Sequence, residues 1–510
     1  MKILSTKQVK EADKYTIEKE PILSIDLMER ASSRAAKWII DNIGIENDFA
    51  IFVGPGNNGG DGLVIARHLD RAQRMRHLKN FVHVYIVKFT DKFSEDFKIN
   101  LERLKNTNVI VYYISSIDSF PNLLGNEVIV DAIFGSGLSR PASGLAGEVI
   151  ERINNIKKKL VIAIDIPSGL FGEENHIQTQ SIIRANYTLT FEFPFLSFLF
   201  AENEDFVGQF IIIPIDIHPE FIKKVKTDFF TIELSDIKNR LRSRKKFSHK
   251  GNYGHGLLIA GHYGTMGAAV LSARAAHRTG IGLLTAHLPK KCVDIMQISS
   301  PETIVQIDEQ NEEFSAYISD LANFNAIGIG PGIGLRQEPA LLLRDLLTKA
   351  NNKHFVLDAD AITILGQNKE WLKFLPPKSI LTPHPKEFER IAGQSSNHYR
   401  RLLLQREFSQ KYNVIIVLKG AYTCISFPNG KCYFNTTGNP GMATGGSGDV
   451  LTGMILSLLA QNYSPEDAAI LAVYLHGLSG DFAAKEITEP CLIASDLIDY
   501  LPKAYKTILN

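Results

Sequence analysis

Short apolar runs that do not alternate with polar residues punctuate the first half of the chain. They are FAIFVG (49–54), VHVYIVKF (82–89), NVIVYYI (108–114), EVIVDAIF (127–134), KLVIAIDI (159–166) and YTLTFEF (187–193). A strand with one wet face alternates, so unbroken runs predict strands covered on both faces of a parallel sheet. Helical patterns such as GLVIARHLDRA, after the first run, supply the covering layers. The pattern predicts an α/β fold with a Rossmann-like, doubly wound N-terminal domain. GQFIIIPIDIHPEF (208–221) reads as its last strand, and the polar, irregular stretch from Lys223 to Phe247 places a boundary near 225. Two domains are expected, 1–225 and 226–510. The second repeats the strand–helix rhythm with GHGLLIAG (254–261), GLLTAHL (282–288), AIGIGPG (326–332), FVLDAD (355–360), SILTPH (379–384) and VIIVLKG (414–420). CISFPNGKCYF (424–434) carries Asn429-Gly430, a hairpin signal.

Bulk composition narrows the partners. The 510 residues leave room for two or three domains, and a net charge of +1 with 22% charged residues favours neither nucleic acid nor membrane. The basic run RLRSRKKFSHK (240–250) reads as a solvated interdomain segment. The most apolar patch, FEFPFLSFLFA (191–201), contains Glu192 and Pro194 and is too short to span a bilayer. Residues 1–20 lack the apolar core of a signal peptide. Cys292, Cys424, Cys432 and Cys491 form no CxxC pair, so no zinc or redox motif is indicated and a reducing cytoplasm is expected.

VGPGNNGGDGLVIARHL (53–69) reads as strand, glycine loop and helix, although it is not GxxxxGK[ST]. Backbone N–H groups at such a helix start can cradle phosphate; a plain tight turn is the competing reading. VDAIFGSGLSRPASG (130–144) and AIDIPSGL (163–170) end two more strands with Asp131 and Asp165. Ligands of open α/β sheets bind at the carboxyl ends of strands, so three polar loops converging there point to a site. NNGGDG, DAIFGSGL and DIPSG, in this order, resemble the epimerase domain of the NAD(P)H-hydrate repair enzymes. The resemblance implies that Asn57, Asn58, Gly59, Gly60, Asp61 and the loop Gly135, Ser136, Gly137, Leu138, Ser139, Arg140 and Pro141 contact hydrated NAD(P)H. It places Asp165 beside the reacting ring, as the proton-transfer group, and assigns Asn58, Asp131 and Ser168 to a potassium ion. Oxygen ligands suit that hard cation. The chain departs from the family pattern after TLTF: Pro194-Phe195-Leu196-Ser197 stands where a proline-lysine pair followed by glycine is expected.

In the second half, GNPGMATGGSGDVLTG (438–453) holds six glycines, five of them ahead of its one carboxylate and the apolar helix it opens. Amides of Gly446, Ser447 and Gly448 can form an anion hole, with Asp449 placed to take a proton from a hydroxyl. An aspartate cap on a glycine hinge is the alternative. His384 lies between two prolines in LTPHPKEFERIAG, and Lys419 follows an apolar strand in VLKGAYT. GGSGDVLTG is similar to the ribokinase-like signature. With GTMGAA, GPG, TPHPKE and KGAYT it resembles the ADP- or ATP-dependent NAD(P)H-hydrate dehydratase domain. That implies a ribokinase-like α/β domain in which Ala268, Gly332, His384 and Asp449 contact substrate. Lys419, Gly420, Ala421, Tyr422, Thr423 and Gly448 would hold the AMP moiety, and Mg²⁺ would accompany the ADP co-substrate. Both resemblances in one chain imply the bifunctional enzyme: epimerisation of R and S hydrates of NADH and NADPH, then ADP-dependent dehydration of the S hydrate with release of AMP and phosphate. A homo-oligomer is expected. The competing reading is a vitamin-precursor kinase carrying a noncatalytic nucleotide-binding module.

Overall fold

The unbroken apolar runs become two separate sheets, one in each of the units Lys2–Thr227 and Asp228–Asn510, the latter including Met1. The computed structural model describes residues 1–318, 321–350 and 352–509. In the first unit the strands are β1 (Phe49–Val53), β2 (Val82–Val87), β3 (Ile110–Ile114), β4 (Val128–Ala132), β5 (Leu160–Ile164), β6 (Tyr187–Phe191) and β7 (Gln209–Ile213). They pair in the order β3-β2-β1-β4-β5-β6-β7, all parallel. Every residue of β1 and β4 is buried, as non-alternating runs require. The chain leaves β1 toward β2 and later returns to β4 on its other side. This reversal opens a crevice at the carboxyl ends of β1 and β4. Two helices, Thr6–Lys19 and Ser24–Asn42, precede β1, and Ser5 starts the first with a capping box to Gln8.

The second unit begins with β8 (Phe229–Thr231) and continues through β9 (His255–Ile259), β10 (Leu283–Leu288), β11 (Ile304–Ile307) and β12 (Ala326–Ile329). It then runs through β13 (His354–Leu357), β14 (Ile380–Leu381), β15 (Ile415–Leu418), β16 (Cys424–Ser426) and β17 (Cys432–Phe434). The sheet order is β11-β10-β9-β12-β13-β14-β15-β16-β17-β8. The predicted hairpin is present as antiparallel β16 and β17, with Gly430 at φ +82° in the turn. Among the described residues no helix is long and apolar enough to cross a membrane.

Two readings of the polar stretch need correction. It is not irregular throughout: it supplies β8, parallel to β17, and the helix Leu234–Arg240. A three-residue strand is too short to show a period. Nor is the basic run 240–250 an interdomain segment, because it lies inside the second unit. Arg240 pairs with Asp467, the Arg242 guanidinium sits 4.4 Å from the Tyr463 ring centre, and that of Arg244 sits 3.8 Å from Tyr253. Guanidinium groups over aromatic faces are held by the ring quadrupole, and Asp467 and Tyr463 are remote in sequence from Arg240 and Arg242.

The helices Met266–Arg278 and Ser447–Ala460 pack backbone to backbone. A Cβ on Gly453 would lie 2.0 Å from the Ser272 carbonyl oxygen, and Ser272 Oγ donates to the Asp449 carbonyl at 2.8 Å. Glycine in a helix interior is normally about 1 kcal/mol worse than alanine. Here Gly453→Ala should instead destabilise by about 1–3 kcal/mol, the usual cost of overpacking. Thermal denaturation checks the sign, and an unchanged or raised melting temperature would contradict this close approach.

Candidate active sites

In the first unit a cavity of about 1030 Å³ lies beyond β1, β4 and β5. Glycines bring its loops together. A Cβ on Gly54 would lie 2.0 Å from the Ile133 carbonyl, and one on Gly59 would lie 1.8 Å from the Gly54 carbonyl. Asn57, Asn58 and Asp61 reach the cavity from the start of the helix Asn57–Met75, the loop Gly135–Arg140 from β4, and Asp165 from β5. Gly59 and Gly60 lie beneath it; a Cβ on Gly60 would meet the Met28 sulfur at 2.8 Å. Pro141 is not on the cavity wall.

Asp165 has φ +68°, an uncommon conformation for a residue with a side chain. Its N–H donates to the Leu189 carbonyl at 2.8 Å, and its Oδ2 accepts the Ser136 N–H at 2.7 Å. Burial pushes its carboxyl up, and the Ser136 hydrogen bonds partly offset this. Burial also drives Asp61 well above the usual carboxylate range despite the 2.6 Å bond from Ser32 Oγ. One layer deeper, Ser168 Oγ donates to Asp131 Oδ1 at 2.6 Å and its N–H to Oδ2 at 2.8 Å. Burial raises Asp131 to about 6, with those bonds opposing. Asn58 differs: both its Oδ1 and its Nδ2 are buried without a partner among the described residues. A buried amide left so costs about 1–3 kcal/mol.

Charged residues absent from the motif reading also line the cavity. Lys10 and Asp13 come from the helix Thr6–Lys19. Burial and then the charge of Asp165 push Asp13 up to about 7. The buried Ala12 and Thr16 mark the inward face of this helix, the one signal that could have flagged Asp13. Phe195, at the departure from the family pattern, is buried in an apolar cluster with Ile166, Leu170 and Phe198.

In the second unit Asp449 lies in the first turn of the helix Ser447–Ala460, entered through Gly446 at φ +92°. Burial and the charge of Asp358 push its carboxyl up to about 7 against the pull of Lys419. Asp358 is buried at the end of β13 and accepts from Lys419 Nζ and Thr452 Oγ1, both at 2.8 Å. Burial lowers the Lys419 ammonium, but Asp358, Glu387 and Asp449 more than offset it, so it stays firmly charged. A Cβ on Gly448 would stand 3.1 Å from Lys419 Nζ. Lys419 N–H bonds the Pro383 carbonyl at 3.0 Å, which ties its strand end to the His384 loop. His384 Nδ1 accepts the Lys386 N–H at 3.2 Å and caps the helix Pro385–Ala392, leaving Nε2 protonated 3.3 Å from Glu387 Oε1.

Gly420, Ala421, Tyr422 and Thr423 form the turn after β15, with the Gly420 N–H 3.3 Å from Thr423 Oγ1. Gly332, at φ +63°, offers its carbonyl to Thr265 Oγ1 at 2.8 Å, next to Ala268 in the first turn of the following helix. The motif reading missed Asp358, Thr452 and His476. His476 donates from Nε2 to the Ser447 carbonyl at 2.9 Å, and burial holds it down at about 4, so it is neutral. An acid closing a strand before a helix, as in FVLDAD, is the signal that could have revealed Asp358.

Residues 24–196 match the family model described as YjeF-related protein N-terminus, and residues 256–503 match that of NAD(P)H-hydrate dehydratase. The bifunctional NAD(P)H-hydrate repair enzyme of Thermofilum pendens is 33% identical, over 100% of this chain and 97% of its own. The chain belongs to the bifunctional NAD(P)H-hydrate repair enzymes. The Moorella thermoacetica member is 32% identical with the same coverage. A solved ribokinase-like protein of Enterococcus faecalis shares 28% identity at a TM-score of 0.50, covering 56% of this chain and 98% of its own. The second unit is accordingly ribokinase-like.

The Asp449 environment has a stability consequence. An ordinary aspartate titrates near 4, whereas folding raises Asp449 to about 7. Between those values the folded protein binds more protons than the unfolded chain, so this position's contribution falls as pH rises from about 4 to about 7 and is flat above. Asp449→Asn removes the dependence. Its melting temperature relative to the parent should climb across that window and stay higher at pH about 8. Parallel melting curves at all pH values would show that the carboxylate is not destabilised by burial.

Proposed function

We propose that this chain repairs hydrated NADH and NADPH. Residues 1–225 interconvert the R and S hydrates, and residues 226–510 use ADP to convert the S hydrate back to the reduced cofactor. The observation that carries the second activity is the buried Asp449 beside the Lys419–Asp358 pair at a glycine-rich helix start. In this reading Asp449 takes the proton of the C6 hydroxyl as its oxygen attacks the β-phosphorus of ADP. Lys419 and the amides of Ser447 and Gly448 meet the charge that develops on the moving phosphoryl group. Phosphate then leaves C6 as a proton leaves C5, which restores the ring double bond and leaves AMP.

Mg²⁺, when bound, would neutralise the nucleotide phosphates. Among the described residues no group of three His, Cys, Asp or Glu side chains could hold a metal, so the phosphates themselves would be its chief ligands. A potassium ion fits the first unit for a different reason. The orphaned Asn58 amide oxygen supplies an uncompensated ligand, and Asp131 and Ser168 supply carboxylate and hydroxyl oxygens. We expect a homo-oligomer in the cytoplasm; the four cysteines are all free thiols, as a reducing compartment favours.

Hydrated NADH incubated with ADP or ATP should regain NADH absorbance, whereas a stable phosphorylated product would mark a kinase. Asp449→Asn should bind ADP normally by calorimetry and lose turnover about 100-fold or more, the scale of general-base loss. Gly448→Val, which puts bulk beside Lys419 Nζ, should weaken ADP binding itself. Wild-type turnover in Asp449→Asn would reduce Asp449 to a helix cap. In the first unit, Asp131→Ala should abolish both epimerisation and its stimulation by potassium; a variant still stimulated by the ion would remove Asp131 from the cation site.

A further inference from the structure

The first-unit cavity holds more carboxylates than the motif reading used. Asp61 is bonded by Ser32 Oγ, Asp165 by the Ser136 N–H, Glu192 by the Ile215 N–H at 2.7 Å, and Glu18 pairs with Lys14 at 3.8 Å. Asp13 lines the same cavity and has no hydrogen bond or ion pair to any described residue. A largely buried carboxyl without a partner is costly unless the cavity's occupant completes it. Phe195 adds a second observation. Phe195, where the family pattern has a lysine, is an apolar, fully buried ring, so this position supplies neither an acid nor a cation to the cavity.

Epimerisation at C6 needs chemistry that two carboxyl groups can supply. C6 of the hydrate carries both a hydroxyl and the ring nitrogen N1, so the nitrogen lone pair can expel the oxygen if an acid protonates it. Water can then add to the other face if a base takes its proton. We propose that Asp13 and Asp165 are the two proton-transfer groups of this epimerisation, Asp13 giving its proton to the departing hydroxyl and Asp165 receiving one from the incoming water. This rests on the reading of the cavity as the epimerase site. The C6–O bond breaks with its electron pair on oxygen, the Asp13 proton joins it, and water leaves. The N1 lone pair forms an N1=C6 iminium. A second water then bonds C6 through oxygen, the pair returns to N1, and the surplus proton passes to Asp165. The two groups have exchanged protonation states, so the reverse reaction starts from the opposite assignment.

Asp13 is suited to holding a proton at neutral pH. Burial and the neighbouring Asp165 raise it to about 7, whereas Asp165 keeps the stabilising hydrogen bond from the Ser136 N–H. Lys10 and Lys14, one turn or less away on the same helix, also line the cavity and can assist proton return from solvent.

The test follows pure R hydrate in H₂¹⁸O with the full chain and no ADP, by chromatography and mass spectrometry. In the wild type each S hydrate formed should carry one ¹⁸O at C6. Asp13→Asn should slow interconversion and label uptake together by about 100-fold or more. It should still bind R hydrate and still dehydrate S hydrate with ADP at the wild-type rate. Asp13→Glu, which keeps the acid, should recover part of the rate. Interconversion at the wild-type rate in Asp13→Asn, S hydrate formed without ¹⁸O, or loss of hydrate binding in that variant would each overturn the proposal. A wild-type chain that binds the hydrates without interconverting them would overturn the epimerase reading itself.

Discussion

Keeping carboxylates buried at the carboxyl ends of parallel strands is the constraint on which both units depend. A carboxylate in such a place loses water and must be repaid by hydrogen bonds, by a cation, or by retaining its proton. This chain uses all three. Asp131 is repaid by Ser168, Asp358 by Lys419 and Thr452, and Asp13 and Asp449 are left to hold protons near neutrality. The surrounding architecture serves to make such burial possible, since only a sheet covered on both faces has dry strand ends to offer.

Glycine makes that burial tight. Where β1 turns into its helix, Gly54 and Gly59 let three backbone segments touch, and Gly453 does the same for two helices of the second unit. At these points a side chain would push apart the loops that carry Asn58 and Ser136 and the helix that carries Asp449. The glycines are therefore as much a part of the sites as the groups facing solvent, although several of them, such as Gly59 and Gly60, point away from the cavity.

Much of this was legible in the sequence. Strands buried on both faces announce themselves by lacking alternation, and Asn429-Gly430 announced its hairpin. Asp131 and Asp165 at strand ends and Asp449 at a helix start stood out because glycine-rich loops adjoin them. What stayed hidden shares a different property. Asp13 faces the cavity only because its helix folds back over the ends of β1, β4 and β5, and only the buried Ala12 and Thr16 beside it set it apart from the acids facing solvent. Asp358 becomes informative only once Lys419 and Thr452 arrive beside it. The three residues of β8 carry no period at all, and the partners of Arg242 and Arg244 are aromatic rings that no local pattern connects to them.

That same short strand bears on how the second unit presents itself to other chains. β8 is the last member of its sheet and shields the free edge of β17 with main-chain pairing from Phe229 to Thr231. Removing it by cutting the chain at the seemingly natural start of the helix Leu234–Arg240 would leave the N–H and C=O groups of β17 without their ladder. An unpaired edge of this kind is a template for strands of neighbouring molecules. Three residues that look like linker thus act as a guard against self-association, and their value lies in the crowded company the protein keeps rather than in its chemistry.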